Sequence, residues 1–132
     1  MIAIDTNVLI RIVVDDHREQ VARAARLIAK EDVFVSTTVL LEAEWVLRGL
    51  YGLPSATVAA SLESFCGLDN VLVEGGAVLH RVLAAYRSGA DFADALHLSS
   101  CEMNTIATFA TFDEKLRKRL RDFSDTIVLI AP

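Results

Sequence analysis

Five short apolar runs, separated by longer segments with helical periodicity, constrain the fold of this chain more than any other feature. The runs contain many β-branched residues and are three or four residues long, at positions 2–4, 33–35, 71–73, 106–109 and 127–130. Brief continuous runs of this kind suit parallel strands that are covered on both faces. We therefore predict a central parallel sheet of about five short strands.

The segments between these runs predict six helices. Residues 17–30 carry apolar side chains at i, i+3, i+4 and i+7, counted from Val21, with charged residues opposite. The other predicted helices cover residues 38–51, 54–67, 76–88, 91–103 and 113–121. Alternating strands and helices predict an α/β fold, and right-handed crossovers place helices on both faces of the sheet. The expected architecture is a three-layer α/β/α sandwich.

Length and composition indicate a folded domain and argue against a disordered or membrane-spanning protein. A chain of 132 residues with 53% hydrophobic residues fits one folded domain over residues 1–132 and excludes disorder. The longest stretch without a charged residue, 49–62, has 14 residues, whereas a membrane span needs about 20. Asp5 interrupts any N-terminal signal sequence, and Cys66 and Cys101 lack ligand spacing, so we expect a cytoplasmic protein with free thiols.

Several acidic residues fall where ligands bind in α/β proteins. Asp5 directly follows the first predicted strand, and Asp113 follows the fourth. The carboxyl ends of parallel strands meet at one edge of a sheet, so these two side chains can converge. Asp91 and Asp94 are three residues apart and share one face at the start of a helix.

A fourth acid, Glu42, lies inside the predicted helix 38–51. Glu44 is two residues further on and points about 200° away around the helix. Because Leu41 and Trp45 flank Glu42, we expect Glu42 to face inward and Glu44 to face solvent.

Clustered carboxylates repel one another, and a divalent cation would relieve that repulsion. Oxygen ligands without histidine or cysteine favour Mg²⁺, or Mn²⁺ in its place, and a water bound to such an ion can act as a nucleophile. Most of these acids also have an ordinary structural explanation. An aspartate just after a strand, such as Asp5, is often only a helix N-cap, Asp91 and Asp113 can cap the helices that begin there, and Glu42 can pair with Arg48 or Arg81.

Four short motifs in this order resemble those of PIN domains, and they extend from residue 1 to residue 113. They are Met1-Ile-Ala-Ile-Asp5-Thr6-Asn7-Val8-Leu9, Thr38-Val39-Leu40-Leu41-Glu42 with Trp45-Val46-Leu47, Asp91-Phe92-Ala93-Asp94-Ala95-Leu96-His97, and Thr111-Phe112-Asp113. Each motif is short, and their specificity comes from the combination. The compact length is similar to that of VapC-type toxins of prokaryotic toxin–antitoxin pairs.

The resemblance implies a Mg²⁺-dependent endoribonuclease, with Asp5, Glu42, Asp94 and Asp113 as the acidic site. It implies Asp5 and Asp94 as direct metal ligands, with Glu42 and Asp113 completing or orienting the hydration shell and Asp91 able to take part. Thr6, Asn7 and Thr111 match positions that hydrogen-bond the acids in such sites. It also implies a homodimer and a cognate antitoxin protein.

Binding of RNA requires positive charge, because phosphate contacts dominate affinity. A basic run follows Asp113, and the RNA-binding candidates are Lys115 and Arg117 within it, together with Arg11 and Arg48. The net charge of −5 at first argues against a polyanionic partner, but four of the negative charges belong to the candidate site.

Two alternative functions remain open from the sequence. Haloacid-dehalogenase-like phosphatases also place an aspartate after the first strand, with a second acid two residues on, where this chain has Asn7. A catalytically silent PIN-like module that binds RNA or protein is the other alternative, although all four acids are present.

Overall fold

The computed structural model describes all 132 residues, and the chain divides into two compact units. The N-terminal unit comprises Met1–Glu74, and the C-terminal unit comprises Gly75–Pro132. No helix is long and apolar enough to cross a membrane.

The N-terminal unit contains a three-stranded parallel sheet in the order β1-β2-β3, with Ile2 opposite Val33 and Val33 opposite Val71. A π-helix at Val46–Leu50 continues directly from α3. The elements are β1 (Ile2–Ala3), α1 (Thr6–Val13), α2 (Arg18–Lys30), β2 (Val33–Val35), α3 (Thr37–Trp45), α4 (Ser55–Cys66) and β3 (Val71–Val73).

The C-terminal unit contains a two-stranded parallel sheet in which Thr108 is opposite Val128. Its helices α5 and α6 pack together, and the Tyr86 and Phe92 rings meet edge to face with centroids 5.2 Å apart. The elements are α5 (Gly76–Arg87), α6 (Phe92–Met103), β4 (Thr108–Ala110), α7 (Glu114–Arg119) and β5 (Val128–Ile130).

The predicted α/β class with short parallel strands is confirmed, and all five predicted strands form at or close to their expected positions. Three details were wrong. The strands are hydrogen-bonded in two parallel sheets, of three and two strands, rather than in one central sheet of about five. No helix was predicted after β1, yet Thr6–Val13 is helical because the Asp5 side chain caps it and Leu9 and Ile10 are buried. Strand β4 begins at Thr108 rather than at residue 106, because Thr105 turns the chain with a φ of 58°.

Each unit has its own fully buried apolar side chains. In the N-terminal unit, the valines of β2 and four leucines of the helices are almost inaccessible to solvent, and burying each such side chain stabilises the fold by about 1.5–3 kcal/mol. The side chains that form these cores are Leu9, Val33, Val35, Leu40, Leu47, Val58 and Leu62 in the first unit, and Val82, Leu83, Phe92 and Leu98 in the second.

Candidate active site

Asp5 lies between β1 and α1, with its side chain exposed. Its Oδ1 accepts a hydrogen bond of 3.1 Å from the backbone N–H of Val8, so the carboxylate caps α1. Of the two residues expected to support it, Thr6 is buried and Asn7 is exposed. Asp5 and Asn7 line a cleft of about 500 Å³ in the N-terminal unit.

The two glutamates of α3 have the opposite orientation to the one expected. Glu42 is exposed, whereas Glu44 is buried with 4% of its surface accessible. Glu44 lies four residues after Leu40 and three before Leu47, so it shares the helix face that these buried leucines occupy. The inward prediction for Glu42 was wrong because it relied on Trp45, which is itself 56% exposed.

An ion pair compensates the buried carboxylate of Glu44. Arg48 Nε donates to Glu44 Oε1 at 2.6 Å, one helical turn further on. The Arg48 side chain is half exposed, so the pair lies at the edge of the core. Arg48, which the sequence suggested as an RNA contact, therefore has a structural role in this unit.

Asp91 and Asp94 begin α6 in the C-terminal unit. Asp91 is the N-cap residue, and its Oδ1 accepts a 3.1 Å hydrogen bond from the backbone N–H of Asp94. This bond leaves the Asp94 carboxylate in the first turn of the helix, where the N-terminal end of the helix dipole favours negative charge.

Asp113 caps α7 and is itself oriented by Thr111. The Asp113 Oδ1 accepts from the backbone N–H groups of Lys115 and Leu116, at 2.8 and 3.1 Å. The backbone N–H of Asp113 donates to Thr111 Oγ1 at 3.0 Å. Thr111 thus supports the loop that carries the acid, although it contacts the Asp113 backbone rather than the carboxylate.

A cavity of about 260 Å³ in the C-terminal unit brings three acids and two cations together. It is lined by Asp91, Asp94, Asp113, Lys115 and Arg119. Burial raises the pKa of Asp94 above its ordinary value, and the negative charges of Asp91 and Asp113 raise it further, although nearby His97 opposes them. Carboxylates in mutual repulsion are the surroundings that a bound cation would stabilise.

The donor set of this cavity fits a divalent cation, because its acidic side chains offer only oxygen. Asp91 and Asp113 use Oδ1 for capping, which leaves Oδ2 of each outside those hydrogen bonds. The structure contains no group of three His, Cys, Asp or Glu side chains that is arranged to hold one metal ion.

The basic residues proposed to bind RNA have different surroundings in the structure. Arg117 is half-buried and its Nε has no hydrogen-bond partner, whereas Lys115 is exposed and reaches the cavity. Arg119, not selected from the sequence, reaches the same cavity because it lies four residues after Lys115, on the same face of α7. That i, i+4 spacing, counted from Lys115, was the signal that could have identified it.

Arg11 is tied into a network within the N-terminal unit. Its guanidinium donates to Gln20 Oε1 at 2.6 Å, to Asp16 Oδ1 at 3.0 Å and to the Tyr51 hydroxyl at 3.3 Å. The Tyr51 hydroxyl also donates to Asp16, and this bond, with the charge of Arg11, lowers the pKa of Asp16 despite some desolvation. Arg11 still lines the cleft beside Asp5, so it remains available to an anion there.

A family model matches most of the chain. The model of the PIN domain family matches residues 2–120, which covers most of the chain and includes all four acidic motifs. No curated protein is significantly similar in sequence to this chain. PIN domains are generally nucleases, so the match supports a hydrolase that acts on phosphodiester bonds over the phosphatase alternative.

Proposed function

This chain belongs to the PIN domain family, and from that premise we propose that it is a Mg²⁺-dependent endoribonuclease. The observation that carries the proposal is the cavity in the C-terminal unit, where carboxylates of Asp91, Asp94 and Asp113 face the cations of Lys115 and Arg119. Acids that can bind a metal ion, next to cations that can bind a phosphate, are what hydrolysis of a phosphodiester needs.

We propose that four carboxylates are required for catalysis. They are Asp5 and Glu42 in the N-terminal unit and Asp94 and Asp113 in the C-terminal unit. Asp5 and Asp94 are the proposed direct ligands of Mg²⁺, for which Mn²⁺ can substitute, and Glu42 and Asp113 are the proposed supporting acids. Asp91 can assist Asp94, because it lines the same cavity.

The metal ion, the two cations and the capping hydrogen bonds contribute to the proposed reaction in different ways. A bound Mg²⁺ supplies Lewis-acid polarisation of the phosphate and a water molecule of lowered pKa. Lys115 and Arg119 bind the non-bridging oxygens of the RNA phosphate and reduce its repulsion from the carboxylates. The capping bonds hold Asp91 and Asp113 in place before RNA arrives, so little ordering is left for the transition state.

We also propose that both compact units belong to one nuclease domain over residues 1–132. The family match supports this, because residues 2–120 extend across the boundary at residue 74. Expression of residues 1–74 alone tests the point. We expect that fragment to lack a cooperative unfolding transition, whereas an independently folded fragment would contradict a single domain.

Cleavage of a labelled single-stranded RNA in Mg²⁺, in Mn²⁺ and in EDTA tests the proposed activity. Wild type should cleave with either metal and not in EDTA. Asp94→Asn and Asp5→Asn should each lower the rate by about 100-fold or more, because a ligand of the cation is lost. Asp15→Asn is the matched control, since Asp15 is exposed and lies outside the motifs. Full activity of Asp94→Asn would refute the assignment.

We further propose that the protein is the cytoplasmic toxin of a type II toxin–antitoxin module, active as a homodimer and inhibited by a cognate antitoxin. The four motifs support this finer assignment. Expression of wild type should arrest bacterial growth, and Asp94→Asn should relieve the arrest. Light scattering after size-exclusion chromatography should give twice the mass of 14.4 kDa. Undisturbed growth with an active nuclease would contradict the toxin role.

A further inference from the structure

Phe112 is the most exposed large apolar side chain of the protein. Its accessible fraction is 84%, compared with 56% for Trp45 and 62% for Val128. An exposed phenyl ring forgoes the stabilisation that burial would bring, about 2–3 kcal/mol. Phe112 therefore does little for the fold itself, and its position next to Asp113 suggests a role in binding.

The backbone on both sides of Phe112 is fixed by hydrogen bonds. The Thr111 N–H donates to Ile130 O at 3.0 Å, which ties the residue before the ring to β5. The Asp113 N–H donates to Thr111 Oγ1, and the Asp113 carboxylate caps α7. The ring is thus presented from a short anchored turn, so binding against it would cost little backbone entropy.

Positive charge follows the ring at once. Helix α7 has six residues, of which four are basic, and two of these, Lys115 and Arg119, line the cavity that contains Asp94 and Asp113. An exposed aromatic ring beside a cationic surface is the usual combination for single-stranded nucleic acid, where bases stack on rings and phosphates contact cations.

We propose that Phe112 is a stacking platform for one base of a single-stranded RNA, adjacent to the nucleotide whose phosphate lies at the cavity of Lys115 and Arg119. This inference rests on the proposed ribonuclease function and adds a residue that positions the RNA, because the Phe112 ring would stack on an unpaired base. Every base has a π-face, so stacking of this kind tolerates many sequences.

Different substitutions at position 112 distinguish base stacking from a protein interface. A second copy of the chain or a protein partner would accept leucine at position 112, because leucine keeps the apolar area. A base requires an aromatic face, so Phe112→Trp and Phe112→Tyr should retain binding, whereas Phe112→Leu should lose it. Val128→Ala is the matched control, as it removes exposed apolar area from the same unit.

Fluorescence anisotropy with a labelled single-stranded RNA in EDTA, together with KM for its cleavage in Mg²⁺, measures the effect. Phe112→Leu should raise Kd and KM by about 5- to 150-fold, with kcat changed less. Phe112→Trp should remain within about 3-fold of wild type, and Val128→Ala should be unchanged. A duplex of the same sequence should bind weakly to every variant.

A spectroscopic measurement reports stacking directly. The protein has one tryptophan, Trp45, so the Trp45→Phe, Phe112→Trp double variant carries a single reporter at position 112. Stacking with a base should quench its fluorescence as RNA is added, whereas native Trp45 in wild type should change little. The Trp45→Phe single variant controls for the effect of the first substitution.

The outcomes distinguish this inference from the proposed function. If wild type cleaves RNA and Phe112→Leu binds and cleaves equally well, stacking is refuted while the nuclease stands. If Phe112→Leu binds RNA normally and keeps the oligomeric state, whereas Phe112→Tyr, which adds a polar hydroxyl, changes that state, the ring belongs to a protein interface and the inference is again overturned. If wild type neither binds nor cleaves RNA, both proposals fail.

Discussion

Replacing Glu44 or Glu42 by glutamine separates the structural acid of α3 from the candidate catalytic one. The two residues are two positions apart on one helix, and both changes remove one negative charge while keeping the shape of the side chain. Glu44 is buried and paired with Arg48, whereas Glu42 is exposed. We expect Glu44→Gln to lower the free energy of unfolding and Glu42→Gln to lower the nuclease activity.

The burial of the Glu44–Arg48 ion pair determines how much Glu44→Gln should lower the free energy of unfolding. Breaking a fully buried ion pair costs about 3–5 kcal/mol, and losing a hydrogen bond to a charged group costs about 1.5–3 kcal/mol. The side chain of Arg48 is 48% exposed, so water partly solvates it once it is unpaired, and about 2 kcal/mol is the expected loss. With roughly 2.1 cal/mol/K per residue over 132 residues, that loss lowers Tm by about 7 °C. Glu42→Gln should stay within about 0.5 kcal/mol of wild type.

Urea unfolding at pH 7, followed by circular dichroism, measures both free energies, and RNA cleavage is assayed at a temperature where both variants are folded. Glu44→Gln should keep its Mg²⁺-dependent rate, and Glu42→Gln should lose it. Equal destabilisation by the two substitutions would refute the orientation of α3. A loss of activity in folded Glu44→Gln with none in Glu42→Gln would show that Glu44 is the catalytic acid.

Three further predictions follow from the C-terminal unit. Burial and like charges raise the pKa of Asp94, so its ionised form weakens the fold above that pKa. Asp94→Asn should therefore raise Tm at pH 7 in EDTA, and it should remove the increase that Mg²⁺ gives wild type in thermal melts. Hydrogen bonds from Arg81 lower the pKa of Glu102, so the contribution of its carboxylate to stability is present above the ordinary pKa and is lost as the pH falls through the lowered pKa. Glu102→Gln should therefore cost about 1–2 kcal/mol in urea at pH 7, and progressively less as the pH falls through the lowered pKa. Gly89→Ala should cost about 1–2 kcal/mol in the same assay, because φ is +99° and its Cβ would lie 2.5 Å from Arg119 Nη1.

Local signals in the sequence predicted most of the elements and the surroundings of three acids. Asp5, Asp91 and Asp113 each cap a helix, as the position of an aspartate before a helical segment predicts. Helix α1 was missed because residues 8–14 are apolar except for Arg11, and the periodicity of so short an apolar run does not distinguish a helix from a strand. The start of β4 was misplaced because the left-handed turn at Thr105 lacks the usual glycine signal.

The sequence by itself determined which residues carry negative charge, where strands and helices alternate, and that the chain carries the motifs of a PIN domain. Only the tertiary structure decided that Glu44 rather than Glu42 faces the core, because the buried face of a helix depends on what packs against it. It also decided that Arg119 joins Asp94 at one cavity and that Phe112 remains uncovered. These properties arise from contacts between residues that are distant in the chain, and a local pattern cannot specify such contacts.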